Sequence, residues 1–502
     1  MSESLYKSVV THCRRVATYK SALALLEWDQ QTYMPTQGGE FRAEQISQLS
    51  GEIHRLSTGA EYGKQLEELF SSDWITQQSH VIQANVRELN REFDKSTRLS
   101  QTLVEELAKA CSVGQMTWIE SRKTNDFNKF LPYLKSIFQL KQRQADAIGF
   151  QENRYDALLD DYEPHCRASE IAPVLKNLCD ALVPLIQTIG ESTHRPDETL
   201  VKRNFPVVDQ DKFGRVAASK IGFDFNRGRL DVTHHPFCTE LGPNDCRITT
   251  RYDENHFNSA FFGILHEAGH GIYEQGLDGS EYGLPAGKYA SLGVHESQSR
   301  LWENLVGRHA AFWKFFFPLA QQHFPDSLGS VGEEEFYRAI NAVRPSLIRV
   351  EADEATYNLH IAIRFELELE LINDQLTCED LPAAWNDRYE QYLGVRPDSD
   401  ANGVMQDIHW SAGLIGYFPT YSLGNLFAAQ LFNAAKGDIA GLEQGFANGD
   451  FVALKSWLNE RVHAVGQTLA PNDLIKQVTG LPLSHDALLQ QLQDKYQVVY
   501  RL

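Results

Sequence analysis

The sequence predicts a mainly α-helical protein with one small β-sheet, and three observations carry that expectation. Apolar residues recur at helical spacing near the start (Leu5, Val9, Cys13, Val16, Leu23, Leu26) and again at Ile82, Val86, Leu89 and Phe93. The apolar run Phe261-Phe262-Gly263-Ile264-Leu265 leads directly into His266-Glu267-Ala268-Gly269-His270. The only clear β signal is Cys246-Arg247-Ile248-Thr249-Thr250-Arg251-Tyr252, which alternates and is rich in β-branched residues.

Composition sets the outer bounds. At 502 residues the chain can bury a large core. Length alone would allow about three domains, but up to about residue 200 no repeat, low-complexity tract or linker divides it, and the chain reads as one unit over 1–502. With 47 Lys plus Arg against 67 Asp plus Glu, the net charge is −20. Such a surface repels nucleic acid and anionic lipid, so neither is expected as a partner. There is no run of eighteen apolar residues, and Met1 to Arg15 has polar residues throughout instead of a signal-peptide core. Seven cysteines form no Cys-x-x-Cys pair and are odd in number, which indicates neither a disulfide framework nor a zinc finger. A soluble cytoplasmic protein is expected. Cys238 and Cys246 read as small buried apolar residues.

In chain order, the first helical pattern runs to Glu27-Trp28-Asp29 and is ended by Pro35, and Gly38-Gly39 opens a turn before Arg42 starts the next helix. The pattern changes around Pro196 and Pro206. Gly242-Pro243-Asn244-Asp245 is turn chemistry between His235-Pro236-Phe237-Cys238-Thr239-Glu240 and the strand at 246, so a hairpin is expected just ahead of the histidine helix. It is either an edge to which an extended peptide can pair its backbone or an ordinary small sheet supporting the helix.

On a helix, His266 and His270 lie one turn apart on one face and can reach the same metal ion. Glu267 then stands beside the ion's open position, where a water would sit. Two histidines four apart also occur as plain solvated or core side chains. Here Phe261, Phe262, Ile264 and Leu265 bury the helix, and burying two histidines and a glutamate without a strong partner is costly. A divalent ion is that partner. The helix is expected to run to about Gly276. Glu274 lies on the same stripe but about 12 Å beyond His266 along the axis, too far to share an ion. Tyr273 and Gly276 replace the glycine and histidine of the metzincin extension. The third ligand therefore comes from another segment.

Gly276 to Gly293 holds five glycines and Pro285 and reads as a long loop. A new amphipathic helix is expected from His295, with Leu301, Trp302, Leu305 and Val306 as its inner face. Glu296 in its first turn is the first choice for third ligand, and Glu303 and His295 are the rivals. Phe312-Trp313-Lys314-Phe315-Phe316-Phe317 reads as core, and from Asn425 onward the pattern is again helical, with loops at Gly437 and around Pro471-Asn472.

Taken together, the blocks His235-Pro236-Phe237, Asp245-Cys246-Arg247-Ile248-Thr249, His266 to His270, His295-Glu296-Ser297-Gln298-Ser299-Arg300 and Arg349-Val350-Glu351-Ala352-Asp353-Glu354 resemble the carboxypeptidase Taq, or M32, family of metallocarboxypeptidases. Gly403 to Trp410, Gly416 to Tyr421 and the N-terminal Trp28-Asp29 to Met34-Pro35 stretch fit the same family. The resemblance implies a gluzincin-type, nearly all-helical single M32-type peptidase domain over 1–502, with a deep substrate groove walled or covered by the N-terminal helices. It implies a homodimer that releases single residues from peptides with a free C-terminus. The implied metal ligands are His266, His270 and Glu296, the implied general base is Glu267, and the implied metal is zinc, with cobalt in some members.

Substrate-binding candidates follow from the same blocks. Tyr421 and His409 are candidate donors to the tetrahedral oxyanion. A free carboxylate entering so acidic a protein needs an internal cation, and Arg suits bidentate capture. Arg349 is the first candidate and Arg247 the second, and either can instead pair structurally with Asp353, Glu354 or Asp245. Asp353 or Glu354 is a candidate to orient a ligand histidine by accepting its other N–H. Two other readings stand beside the carboxypeptidase. One is a zinc oligopeptidase or dipeptidyl enzyme; the other is a metal-free helical scaffold that binds peptides, against which the intact base argues.

Overall fold

A computed structural model describes residues 2–502. Helices dominate it, as the periodicities require. The first, α1 (Ser2–Thr32), stops three residues before Pro35, whose missing N–H and ring cannot continue the helix. Helices Gly39–Ser57, Ala60–Phe70 and His80–Arg98 follow. Val9 and Cys13 of α1 pack with Leu66, Leu69, Val86 and Leu89 in a small core of their own, closed by Leu284 from far along the chain. Both N-terminal stripes are therefore packing stripes, and Leu284 fastens this layer to the loop beside the histidine motif.

The main core surrounds α2 (Phe257–Gly276), the helix that carries His266 and His270. Phe257 and Phe261 stack on each other, and Phe261 stacks on Phe213 at a centroid distance of 5.0 Å. Trp313 and Phe336 close the same cluster. Phe312, Trp313 and Phe316 are fully buried, which bears out the core reading of that aromatic run. Burial of this size, at roughly 2 kcal/mol or more per large side chain, holds α2 rigidly where its histidines must stand.

The sheet has three strands: β1 (Gly228–Val232), β2 (Cys238–Glu240) and β3 (Cys246–Thr250), in the order β1-β3-β2. The expected hairpin is present, with β2 antiparallel to β3 and Cys238 opposite Ile248. Strand β1 was not expected; it pairs parallel with β3, Gly228 opposite Cys246. This order leaves β2 at an edge of the sheet.

After α2 the loop contains two short 3₁₀ turns, Gly279–Glu281 and Pro285–Gly287. The next helix, α3 (Leu292–Arg300), starts three residues earlier than its apolar pattern suggests. Ser291 caps it by accepting from the Val294 N–H at 3.1 Å. At Arg300 the helix passes into a π-helical turn, Leu301–Val306, a form that recurs at functional sites. Helix α4 (Tyr357–Ile372) buries Leu359, Ala362 and Phe365. Helix α5 (Pro419–Asp438) packs along α3, and Gly424 is the point of closest approach: a Cβ there would lie 2.7 Å from Glu296 Cβ. All seven cysteines are free thiols. Among the described residues no helix is long and apolar enough to cross a membrane.

Candidate active site

Helices α2 and α3 cross so that His266, His270 and Glu296 meet. Their ligand atoms lie within 4.8 Å of one another. Glu296 Oε2 is 3.6 Å from His266 Nε2 and 3.4 Å from His270 Nε2. The opposite nitrogen of each ring is already engaged. His266 Nδ1 bonds Glu303 Oε2 at 2.8 Å, and His270 Nδ1 donates to the backbone oxygen of His295 at 3.1 Å. Those partners fix the tautomer, so both Nε2 lone pairs point at a carboxylate oxygen. Three electron-pair donors converging in a buried site repel one another unless a cation stands between them. Two imidazoles and one carboxylate form a donor set that suits zinc and its neighbours in the first transition row.

The electrostatics agree. Burial disfavours charge on Glu296, but Arg300 and His266 outweigh it and hold the carboxyl well below its ordinary range. Arg300 Nε bonds Glu296 Oε1 at 2.7 Å, while Oε2, which accepts from the Ser299 hydroxyl at 3.0 Å, faces the histidines. His270 is pushed down to about 3, by burial first and then by His295, and is neutral as a ligand must be. Burial opposes charge on His266 as well, but Glu296 and Glu303 overcome it and raise its pKa. Glu267, 6% exposed, is pushed up to about 7 by burial, with Glu296 and Glu303 adding to the rise.

The rival ligands are placed elsewhere. Glu303, on the π-helical turn, orients His266 instead of joining the ligand set. His295 contributes its backbone oxygen, and its ring stacks on His270 at 4.5 Å while Nε2 bonds Glu274 at 2.8 Å. One expectation is corrected: neither Asp353 nor Glu354 orients a ligand histidine. Asp353 accepts from the N–H groups of Arg344, Ala355 and Thr356, capping its own turn, and Glu354 pairs with Lys495 at 2.5 Å.

Beside the ligand group opens a cavity of about 630 Å³ lined by His266, Glu267, His270, Glu296, Tyr421 and β2. Ala17, Lys20, Ser21 and Ala24 of α1 are also among its lining residues. Tyr421 and His409 come together, with Nε2 of the histidine 3.1 Å from the tyrosine hydroxyl. Arg349 lies behind them, its guanidinium carbon 5.0 Å from the Tyr421 ring centre. It is 6% exposed and does not pair with Asp353 or Glu354. Nε and Nη2 both donate to Asp407 Oδ1, at 3.0 and 2.8 Å, and Nη1 donates to the Tyr357 hydroxyl at 3.0 Å. Arg364 takes the other oxygen of Asp407 at 2.7 Å. Two guanidiniums thus share one carboxylate, and His409, pushed down to about 4 by burial, adds no charge.

Arg247 follows its structural alternative. It pairs with Asp245 through two bonds of 2.9 Å and stacks over Trp28 at 4.2 Å, tying the sheet to α1. Asp407 and Tyr417 are site residues to which the sequence assigns no role, whereas Glu303, expected as a rival third ligand, bonds His266 instead. Asp407 and Tyr417 lay inside quoted blocks, and that was the only signal available for them.

The chain matches the family model described as carboxypeptidase Taq (M32) metallopeptidase over residues 8–496. It is 44% identical to thermostable carboxypeptidase 1 of Thermus thermophilus, across 99% of each chain, and 38% identical to carboxypeptidase 1 of Bacillus subtilis, across 97% of each. A solved structure, the M32 carboxypeptidase from Deinococcus radiodurans R1, superposes with a TM-score of 0.96 at 40% identity, covering 99% of this chain and 100% of that one. A match of this length, joined to the His-His-Glu group, means that the chain belongs to the carboxypeptidase Taq (M32) family of metallocarboxypeptidases.

Proposed function

We propose that the protein trims single amino acids from the free C-terminus of peptides, with His266, His270 and Glu296 holding one zinc or cobalt ion, Glu267 as general base and Arg349 as the carboxylate-binding cation. The observation that carries the chain-end specificity is the surplus positive charge beside the ligand group. Arg349 and Arg364 share Asp407, and of the five N–H donors on the Arg349 guanidinium two have no partner. That charge state is matched by one incoming carboxylate.

A bound divalent ion supplies a Lewis acid and lowers the pKa of water. The chain's own residues do the rest. Glu267 receives the proton of the attacking water and returns it to the amide nitrogen as the C–N bond breaks. The Tyr421 hydroxyl, oriented by His409, donates to the oxyanion as it develops. Edge strand β2, on the groove wall, offers backbone groups to the peptide upstream of the cleaved bond. Three donors converging within 4.8 Å of one another count against a metal-free scaffold.

The family-model match over 8–496 supports one peptidase domain over 1–502, and seven free thiols suit a reducing cytoplasm. Met116 and Ile119, exposed together on the helix Gln101–Thr124, suit a homodimer. The activity is tested with a short unblocked peptide and its C-terminally amidated twin, before and after chelation and with zinc or cobalt restored. Stepwise trimming of the free peptide alone, lost on chelation, is expected, and Glu267→Gln should abolish it while retaining the metal. Equal cleavage of the amidated twin would show an oligopeptidase instead.

A further inference from the structure

Outside the ligand group, one fully buried carboxylate has no part in the chemistry above. Glu163 is 0% exposed and sits in the turn after the short helix Arg154–Leu159. Its Oε1 accepts from the Gly293 N–H at 2.5 Å and from the Thr420 hydroxyl at 3.1 Å. Gly293 is in the first turn of α3 and Thr420 in the first turn of α5. The neighbouring Tyr162 carbonyl accepts from the Leu292 N–H at 3.1 Å, so two consecutive residues dock the start of α3. The approach is close enough to require glycine: a Cβ at Gly293 would lie 2.8 to 3.0 Å from the carboxyl atoms of Glu163. The second oxygen, Oε2, is buried without a partner.

From Gly293 to Glu296 is a single helical turn, so whatever fixes the former fixes the latter. We propose that Glu163 is a positioning residue for the metal site: it clamps the first turns of α3 and α5 together and thereby sets where Glu296 meets His266 and His270. The inference rests on the reading of those three residues as metal ligands. Gly424 limits Glu296 from the α5 side, and Glu163 sets how far along α5 the helix α3 sits.

The test is a zinc titration of the metal-free full chain against a chromophoric chelator, with thermal unfolding of the same samples. Removing a support behind a ligand costs about tenfold to a hundredfold in metal affinity, and that loss is expected for Glu163→Ala. Glu163→Gln keeps an oxygen over the Gly293 N–H and should restore most of the affinity. A residue that served stability alone would lower the unfolding midpoint and leave the folded chain's zinc affinity unchanged, which would overturn the proposal. A Gln variant as weak as the Ala variant would overturn it too. If Glu163→Ala does not fold, Gly293→Ala displaces the carboxyl from the other side, and wild-type zinc affinity in that variant is again contrary. Wild-type protein that takes up no zinc would instead sink the metal-site reading, and this inference with it.

Discussion

Glu303 provides the sharpest test of how the ligand group is held. It stands on the π-helical turn after α3 and bonds His266 Nδ1 at 2.8 Å, a short contact between an acid and an imidazole whose pKa is raised. Glu303→Ala deletes the group that fixes the tautomer and rotation of His266 and raises the basicity of Nε2. Losses of this kind run at about tenfold to a hundredfold in metal affinity, or roughly 1.4 to 2.7 kcal/mol. The rest of the site should tolerate the change. Arg300 loses one contact at 3.3 Å but keeps Glu296 at 2.7 Å, so the third ligand stays anchored. Glu303→Gln retains an acceptor oxygen for the Nδ1–H and should lose less.

The assay is zinc competition with a chromophoric chelator, followed by turnover at saturating zinc. A weakened affinity with kcat restored by excess metal is the expected pair of results. Wild-type affinity in Glu303→Ala would refute the idea that this residue stands behind the ligand. A turnover defect that excess zinc does not repair would move Glu303 into the chemistry itself.

Arg349→Met should cut kcat/KM on a free-ended peptide by about 3 kcal/mol or more, the scale for losing one partner of a buried charge pair. The amidated twin should show no matching fall, and equal falls on both peptides would mean the arginine is structural. Gly424→Ala puts a Cβ 2.7 Å from Glu296 Cβ, so unfolding should come about 1 to 3 kcal/mol earlier and zinc affinity should drop with it; calorimetry with and without zinc checks both. Burial pushes Glu368 from 4.5 up to about 7 although Tyr155, Trp410 and the Gly416 N–H all donate to it. A raised carboxyl binds its proton more tightly in the folded chain, so wild-type stability should fall as pH rises from about 4.5 through 7, by at most about 3 kcal/mol from this group. Glu368→Gln removes that slope; denaturant midpoints at pH 5 and pH 8 that keep the same separation between variant and wild type would count against it.

How far the sequence reached follows from how local each signal was. The histidine helix was legible because its apolar run and its chemistry occupy the same ten residues, 261 to 270. The hairpin was legible because Gly242 to Asp245 announces the turn. Strand β1 was not, because Gly228-Arg229-Leu230-Asp231-Val232 is short, carries two charges, and gains its place from a parallel neighbour eighteen residues away. The misplaced role for Asp353 had a local sign against it: an aspartate three residues before Thr356, at the entry to α4, is cap chemistry. Nothing comparable pointed to Asp407. It meets Arg349 across 58 positions and Arg364 across 43, and only the folded chain brings the three together. Glu303 was legible as a rival ligand but not in its role behind His266, since spacing on a regular helix does not foresee a π-helical turn.

Charge balance joins the two halves of the groove. Around the ligand histidines stand three carboxylates, Glu267, Glu296 and Glu303, with Arg300 among them and Arg308 3.9 Å from Glu303. Fully ionised, that group carries more negative than positive charge, and a divalent ion offsets the difference. Until it does, burial and the other two carboxylates keep Glu267 near 7; a cation beside it favours the carboxylate form that accepts a proton. Around Asp407 the imbalance has the opposite sign, because Arg349 and Arg364 leave one positive charge in excess. A metal ion offsets the first group, and on the proposed reading a peptide's terminal carboxylate would match the second. An internal segment of a peptide brings no such charge and would leave that excess unmatched. On the proposed reading, selectivity for chain ends would follow from one shared aspartate, and replacing either arginine should blur it.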